Sequence, residues 1–117
     1  MNVRFGYIYR DAANYKKGAE VVFRVENQLS INQVVNRANK LLSYGVNFIA
    51  EDLSVPEVFL YQGGEYSFDD ELDHDAHESC GFRVTTDPVT DEQDRSIEAF
   101  VALLESEMPK ALERLPY

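Results

Sequence analysis

The chain has 117 residues, of which 21 are acidic and 11 are basic, so its formal net charge is −10. Proteins that bind duplex nucleic acid use lysine and arginine to displace counterions from phosphates, so this balance argues against nucleic acid as a ligand. No apolar run approaches the roughly 18 residues that cross a bilayer, and the first ten residues alternate in polarity where an export signal would be continuously apolar. We therefore expect one globular domain over residues 1–117, located in the cytoplasm and without a membrane partner.

Two alternating segments near the N-terminus predict an antiparallel hairpin. Apolar and polar residues alternate from Val3 to Tyr9, and the same period of two recurs from Ala19 to Glu26. The connection over residues 11–18 is too long for a tight turn, and its asparagine, lysines and glycine favour an exposed loop.

The next segment predicts an amphipathic helix. Ser30 and Gln33 match the S-x-x-Q pattern of a capping box, and apolar residues follow from Ile31 to Leu42 at helical spacing. Gly45 lies where a left-handed residue commonly ends a helix. Beyond it, short strands are predicted at residues 46–49 and 58–61.

The C-terminal third predicts a strand and a second helix. Residues 80–84 alternate in polarity, and Thr90 with Gln93 forms another capping-box pattern at the start of a predicted helix. Pro109 is expected to end or kink this helix near Met108. The order β-β-α-β-(β)-β-α predicts an α+β fold, with an antiparallel sheet of about four strands and two amphipathic helices packed on one face.

The charge is unevenly distributed along the chain. Residues 1–40 carry seven bases and three acids, residues 41–82 carry ten acids and no base, and residues 83–117 carry four bases and eight acids. Six of the acids in the middle segment fall within residues 69–78. Such a block must be solvated, bound to metal or placed against a cation, because like charges repel one another.

Both histidines lie inside this acidic block. If residues 73–78 form a helical turn, His74 and His77 share a face, and Asp70 or Asp73 would complete a site for zinc, manganese or iron. The candidate divalent-metal ligands are Asp73, His74, His77 and Glu78. Two alternatives stay open: a solvated acidic loop in which protonated imidazoles reduce repulsion, and a switch that titrates near neutral pH.

A second cluster combines aromatic and cationic residues at the end of the first predicted strand. Its members are Tyr9, Arg10, Asp11, Asn14, Tyr15 and Lys16. Such groups can hold a planar anionic ligand by stacking and by contact with its charge. Neither glycine-rich phosphate-loop pattern occurs in the chain. The alternative is that Tyr7 and Tyr9 are core residues and that Arg10 and Asp11 form a local ion pair.

Three segments together resemble a known pattern. Residues 9–16 read YRDAANYK, residues 48–56 read FIAEDLSVP, and residues 73–78 read DHDAHE. They are similar to the YRDAxNYK, FIAExxxVP and DHxxHE motifs of a group of short uncharacterised bacterial proteins, over about residues 4–80. The resemblance implies no activity, and the tail from Arg83 to Tyr117 departs from it. It does imply that the two clusters belong to one site, which requires them to lie at the same end of the sheet.

These observations favour a non-enzymatic binding or regulatory protein, resembling an inhibitor or an immunity protein. Its acidic region over residues 51–78 would engage a basic protein partner, since concentrated charge of one sign speeds encounter with the opposite sign. The candidate contact residues are Glu65, Asp69, Asp70, Glu71, Asp73, Asp75 and Glu78. The alternative is a metal-binding protein or metal-dependent enzyme that uses His74 and His77, with Arg10 and Lys16 orienting an anionic substrate.

No catalytic residue is predicted, because neither a nucleophile nor a complete ligand set can be assigned. The single cysteine, Cys80, cannot form an intramolecular disulfide, which fits a reducing compartment, and it is expected to be a small buried residue. A second copy of the chain is a further candidate partner, against which the last helix would dock.

Overall fold

The sheet has four antiparallel strands in the order β2-β1-β4-β3. The computed structural model describes residues 1–10, 16–56 and 76–114. The strands are β1 (Asn2–Arg10), β2 (Lys16–Phe23), β3 (Asn47–Ile49) and β4 (Ala76–Thr85), and the helices are α1 (Ile31–Leu41) and α2 (Ile97–Arg114). The predicted α+β class is confirmed. The strand predicted at residues 58–61 lies outside the described residues.

Strand β1 is at the centre of the sheet, and its alternation decides which face becomes the core. Its odd-numbered residues from Val3 to Tyr9 are all buried, and they pack with aromatic rings from neighbouring elements. The Phe5 ring lies 4.5 Å from that of Phe82 and 5.8 Å from that of Phe100, between centroids. Because Phe100 belongs to α2, this stack joins β1, β4 and α2 in one core.

Strand β2 begins and ends earlier than the sequence predicts. Its pairing with β1 runs from Val3 opposite Phe23 to Arg10 opposite Lys16, so residues 16–18, which were predicted to lie in a loop, belong to the strand. Pairing with β1 satisfies the backbone groups of residues 16–18, which outweighs the loop preference of their side chains.

Helix α1 is confirmed, but its predicted capping box is wrong. The Ser30 side chain makes no capping hydrogen bond, and its backbone (φ −101°, ψ 8°) departs from the extended conformation of an N-cap. A 3₁₀ turn over Gln28–Ser30 leads into the helix instead, and the Asn27 side chain accepts a hydrogen bond from the Leu29 N–H. Gly45 has the expected left-handed conformation, with φ +84°.

Helix α2 starts at Ile97, later than predicted, because Thr90 has another role. The Thr90 hydroxyl accepts a hydrogen bond from the Val22 N–H at 2.8 Å, and the Thr90 N–H donates to the Val22 carbonyl at 3.0 Å. Thr90 therefore covers the edge of β2, and Ser96 caps the helix by accepting from the Ala99 N–H at 3.1 Å.

The helix continues through Pro109 to Arg114. The prediction that it ends near Met108 is therefore wrong. A proline removes one backbone donor, but its fixed φ is compatible with the helical conformation.

Both helices pack on the same face of the sheet, as predicted. The buried residues of α1 and α2 join one cluster with those of β1, and the Asn39 side chain holds α1 against β4. Its Nδ2 donates to the Phe82 carbonyl at 3.0 Å, and its Oδ1 accepts from the Phe82 N–H at 2.8 Å. Among the described residues, no helix has the length and apolar character needed to span a membrane.

Candidate functional site

The candidate site lies where three strands meet at one end of the sheet. Strand β1 ends at Arg10, β2 starts at Lys16 and β4 starts at Ala76. Arg10 is opposite Lys16, and Ile8 is opposite Glu78, because β1 is antiparallel to both neighbours. The tyrosine-containing cluster and the histidine window are thus attached at the same end of the sheet, which the one-site expectation requires.

His77 is the residue that brings the three sequence motifs together. It lies in β4 and is 1% exposed. Its ring centroid is 5.6 Å from that of Tyr9, 5.9 Å from that of Tyr7 and 6.0 Å from that of Phe48. Tyr9 belongs to the first motif, Phe48 to the second and His77 to the third, so their contact is a packed aromatic cluster rather than an open pocket.

The metal-ligand hypothesis assumed a helical turn over residues 73–78, and this condition fails at residues 76–78. These residues are in β4, where successive side chains point to opposite faces, so His77 and Glu78 point away from each other. Asp73 and His74 lie outside the described residues. Within the part of the chain that the structure describes, no three histidine, cysteine, aspartate or glutamate side chains come together closely enough to hold a metal ion.

Tyr7 connects this cluster to the second motif. Its hydroxyl donates a hydrogen bond to the Pro56 carbonyl at 2.6 Å. Burial raises the pKa of Tyr7 well above its ordinary value, so the hydroxyl stays protonated and able to donate. Just before Pro56, the 3₁₀ helix Ala50–Leu53 and Val55 contribute buried side chains. The chain is therefore fixed on the core immediately before residue 57.

Arg95 holds the same segment from the other side, a role that sequence analysis missed. Its guanidinium donates to the Leu53 carbonyl at 2.8 Å, to the Ser54 carbonyl at 3.0 Å and to both oxygens of Asp91. It also lies 5.0 Å from the centroid of the Phe100 ring. The one signal in the sequence is the spacing of four residues between Asp91 and Arg95, which is equally typical of an ion pair on a helix.

The environment of Asp91 keeps its carboxylate charged. Burial alone would raise its pKa, but hydrogen bonds from the Arg95 side chain and backbone N–H, together with the guanidinium charge, outweigh this and lower the pKa. Asp91 and Arg95 thus form a nearly buried ion pair that joins the residues just before α2 to the segment before residue 57.

Most of the predicted contact residues fall in the part of the chain that the structure leaves undescribed. These are Asp11, Asn14, Tyr15, Glu65, Asp69, Asp70, Glu71, Asp73, His74 and Asp75. Among the described acids of the middle segment, Glu51 is exposed, and Asp52 and Glu78 are half-buried. Cys80 is half-buried on the face of the sheet opposite the helices, so the expectation of a buried core cysteine is wrong.

Comparison of the chain with protein-family models, curated proteins and solved structures found no match. The resemblance to short bacterial proteins therefore stays a prediction.

Proposed function

We propose that this is a cytoplasmic, non-enzymatic binding protein, of the inhibitor or immunity type, that engages a basic protein partner through residues 51–78. The observation that carries the proposal is the charge of the middle segment. Residues 41–82 contain ten acids and no lysine or arginine. A surface with this charge attracts a basic partner over a distance and accelerates its association.

The arginine pairing in the described residues supports this assignment. Arg4 pairs with Glu20, Arg24 with Glu26 and Asp94, Arg37 with Glu105, and Arg95 with Asp91. Every acid in these pairs lies outside residues 41–82. These arginines pair with acids from the N- and C-terminal parts of the chain, so the pairs neutralise no acid of the middle segment.

The attachment of the acidic segment is a second support. The stretch that contains Asp69, Asp70 and Glu71 follows Pro56, whose carbonyl accepts the Tyr7 hydrogen bond. It ends at Ala76, which pairs with Ile49 in the sheet. Both attachment points belong to the folded core, so the segment is held at each of its two ends.

The proposal is tested by affinity capture from the native host, followed by kinetics with the purified partner. We expect capture at low salt to recover a basic protein whose association rate falls steeply as ionic strength rises. Neutralising Asp69→Asn with Asp70→Asn should slow association about two- to tenfold at low salt and leave dissociation less affected.

The matched control is the double variant Asp87→Asn with Glu92→Gln, which changes the net charge equally at two exposed positions outside the segment. It should leave the association rate near that of the wild type. Recovery of no basic partner, or equal effects of the two double variants, would contradict the proposal.

A further inference from the structure

The face of the sheet opposite the helices carries a groove that the proposed function does not use. This sheet-face groove has a volume of about 220 Å³ and is lined by Arg4 and Gly6 of β1, Glu20 of β2 and residues 80–83 of β4. All of its lining comes from strands. The groove is therefore built on the hydrogen-bonded sheet, which suits a preformed binding site.

Gly6 opens the groove, and the bulge at Gly81 forms part of its lining. Gly6 has no side chain, and a Cβ placed there would meet the Cβ of Cys80 at 3.6 Å, which is ordinary contact. Gly81 has a left-handed φ of +89°, and the pairing of β1 with β4 shifts register between Phe5 and Tyr7. The extra residue of this bulge belongs to the lining of the groove, and a side chain at Gly81 would point toward Asn39 of α1, on the opposite face of the sheet.

The charge of the groove is opposite in sign to that of the whole chain. Arg4 and Arg83 are directly opposite each other on adjacent strands, an arrangement in which like charges destabilise the sheet. Glu20 pairs with Arg4 at 3.2 Å. Arg83 is exposed, and within the described residues no carboxylate forms an ion pair with it. The groove therefore has one guanidinium more than carboxylates.

We propose that the sheet-face groove binds a small anionic ligand, with a carboxylate or phosphate group between Arg4 and Arg83 and beside the Cys80 thiol. Guanidinium groups hold both kinds of oxyanion through two parallel hydrogen bonds, and an anion there offsets the repulsion between the two arginines. The absence of a side chain at Gly6 lets the ligand approach the backbone closely. This site is independent of the acidic region and of its partner.

Cys80 provides a built-in probe, because it is the single cysteine of the chain and lines the groove. Iodoacetate and iodoacetamide alkylate a thiol in the same way, but only iodoacetate is anionic. We expect the rate with iodoacetate divided by the rate with iodoacetamide to fall about fivefold in Arg83→Gln. The loss of one unit charge close to the thiol, in water, changes the free energy of approach of the anion by about 1 kcal/mol. Arg37→Gln, which removes the same charge from α1, should leave the ratio unchanged.

Competition then identifies the ligand chemistry. At constant ionic strength, inorganic phosphate or succinate should slow alkylation saturably in the wild type and not in Arg83→Gln. Protection by phosphate, by succinate or by both supports the site and shows which oxyanion it accepts. If neither anion protects, or if Arg83→Gln is protected as well as the wild type, the proposal is overturned.

Two glycine variants test whether the anion binds inside the groove, because neither variant changes the charge. Gly6→Ala narrows the groove without a clash and should reduce protection by the anion, whereas Gly18→Ala, on the same face but outside the lining, should not. Thermal unfolding of each variant verifies that it is folded. Equal protection in the two glycine variants would count against the groove as the binding site.

Discussion

Tyr7 shows how one buried side chain fixes a distant part of the chain. Its ring packs against Phe5 and His77, while its hydroxyl reaches the Pro56 carbonyl, 49 residues away in sequence. Because burial raises the pKa of Tyr7, the hydroxyl stays protonated and able to donate this bond at neutral pH. The residue before the acidic segment is thereby held on the core.

Replacing Tyr7 by phenylalanine tests this attachment. We expect Tyr7→Phe to lower the free energy of unfolding by about 1 kcal/mol, because one hydrogen bond to a partly buried carbonyl is lost while the ring packing is kept. Urea unfolding measures the change. Tyr44→Phe is the control, since Tyr44 is 76% exposed, and a comparable loss in that variant would contradict the role of the bond.

Gly81 has a left-handed backbone conformation, which the fold requires at this position in β4. Its φ is +89°, and a Cβ there would lie 3.3 Å from the Asn39 Oδ1 that bonds the Phe82 N–H. Gly81→Ala is expected to destabilise the protein by about 1–2 kcal/mol, because left-handed backbone disfavours a side chain. Gly18→Ala should cost less in the same urea titration, since it requires no left-handed φ.

At the scale of elements, Arg95 connects α2 to two other parts of the core. Its guanidinium contacts Asp91, the carbonyls of the segment before residue 57, and the face of the Phe100 ring. The Asp91 side chain is 3% exposed, so removal of Arg95 leaves a charge with little access to water.

We therefore expect Arg95→Met to destabilise the protein by about 3 kcal/mol, since the methionine keeps the apolar stem but leaves Asp91 unpaired. Arg37→Met removes the more exposed pair with Glu105 and should cost less than about 1 kcal/mol. Chemical denaturation of both variants makes the comparison. A similar loss of free energy of unfolding in the two variants would mean that burial of the Asp91–Arg95 pair adds nothing to stability.

For the whole molecule, two carboxylates predict how stability depends on pH. Burial by itself would raise the pKa values of Asp91 and Glu98, but hydrogen bonds outweigh it: from Arg95 to Asp91, and from the Glu26 and Asn27 N–H groups to Glu98. Both pKa values are therefore lower in the folded state. As pH falls, the unfolded chain binds these protons first.

The stability that these groups provide is thus complete above their ordinary pKa values of about 4 and is lost as pH falls through the lower folded values. We expect the free energy of unfolding to decrease on acidification below about pH 4, and Asp91→Asn to show a shallower decrease. Denaturation at a series of pH values measures both slopes. Parallel slopes would show that Asp91 makes no such contribution.

The sequence predicted the parts of the fold that local periodicity specifies. The alternation around Phe5 placed β1 correctly, and the apolar stripe from Ile31 placed α1. Both capping boxes failed because Ser30 is the last residue of a 3₁₀ turn and Thr90 bonds to Val22, 68 residues earlier. Cys80 was expected to be buried, but the register shift between β1 and β4 breaks the alternation and puts Cys80 on the face opposite the buried Phe82.

The amino-acid sequence by itself determined the charge of each segment, the two periodicities and the α+β class, because these depend on residues that are near one another along the chain. Only the tertiary structure decided that His77 contacts Tyr9 and Phe48, that Tyr7 holds Pro56, and that Arg4 is opposite Arg83. Those contacts join residues tens of positions apart, and they follow from strand register and helix packing, which no local pattern specifies.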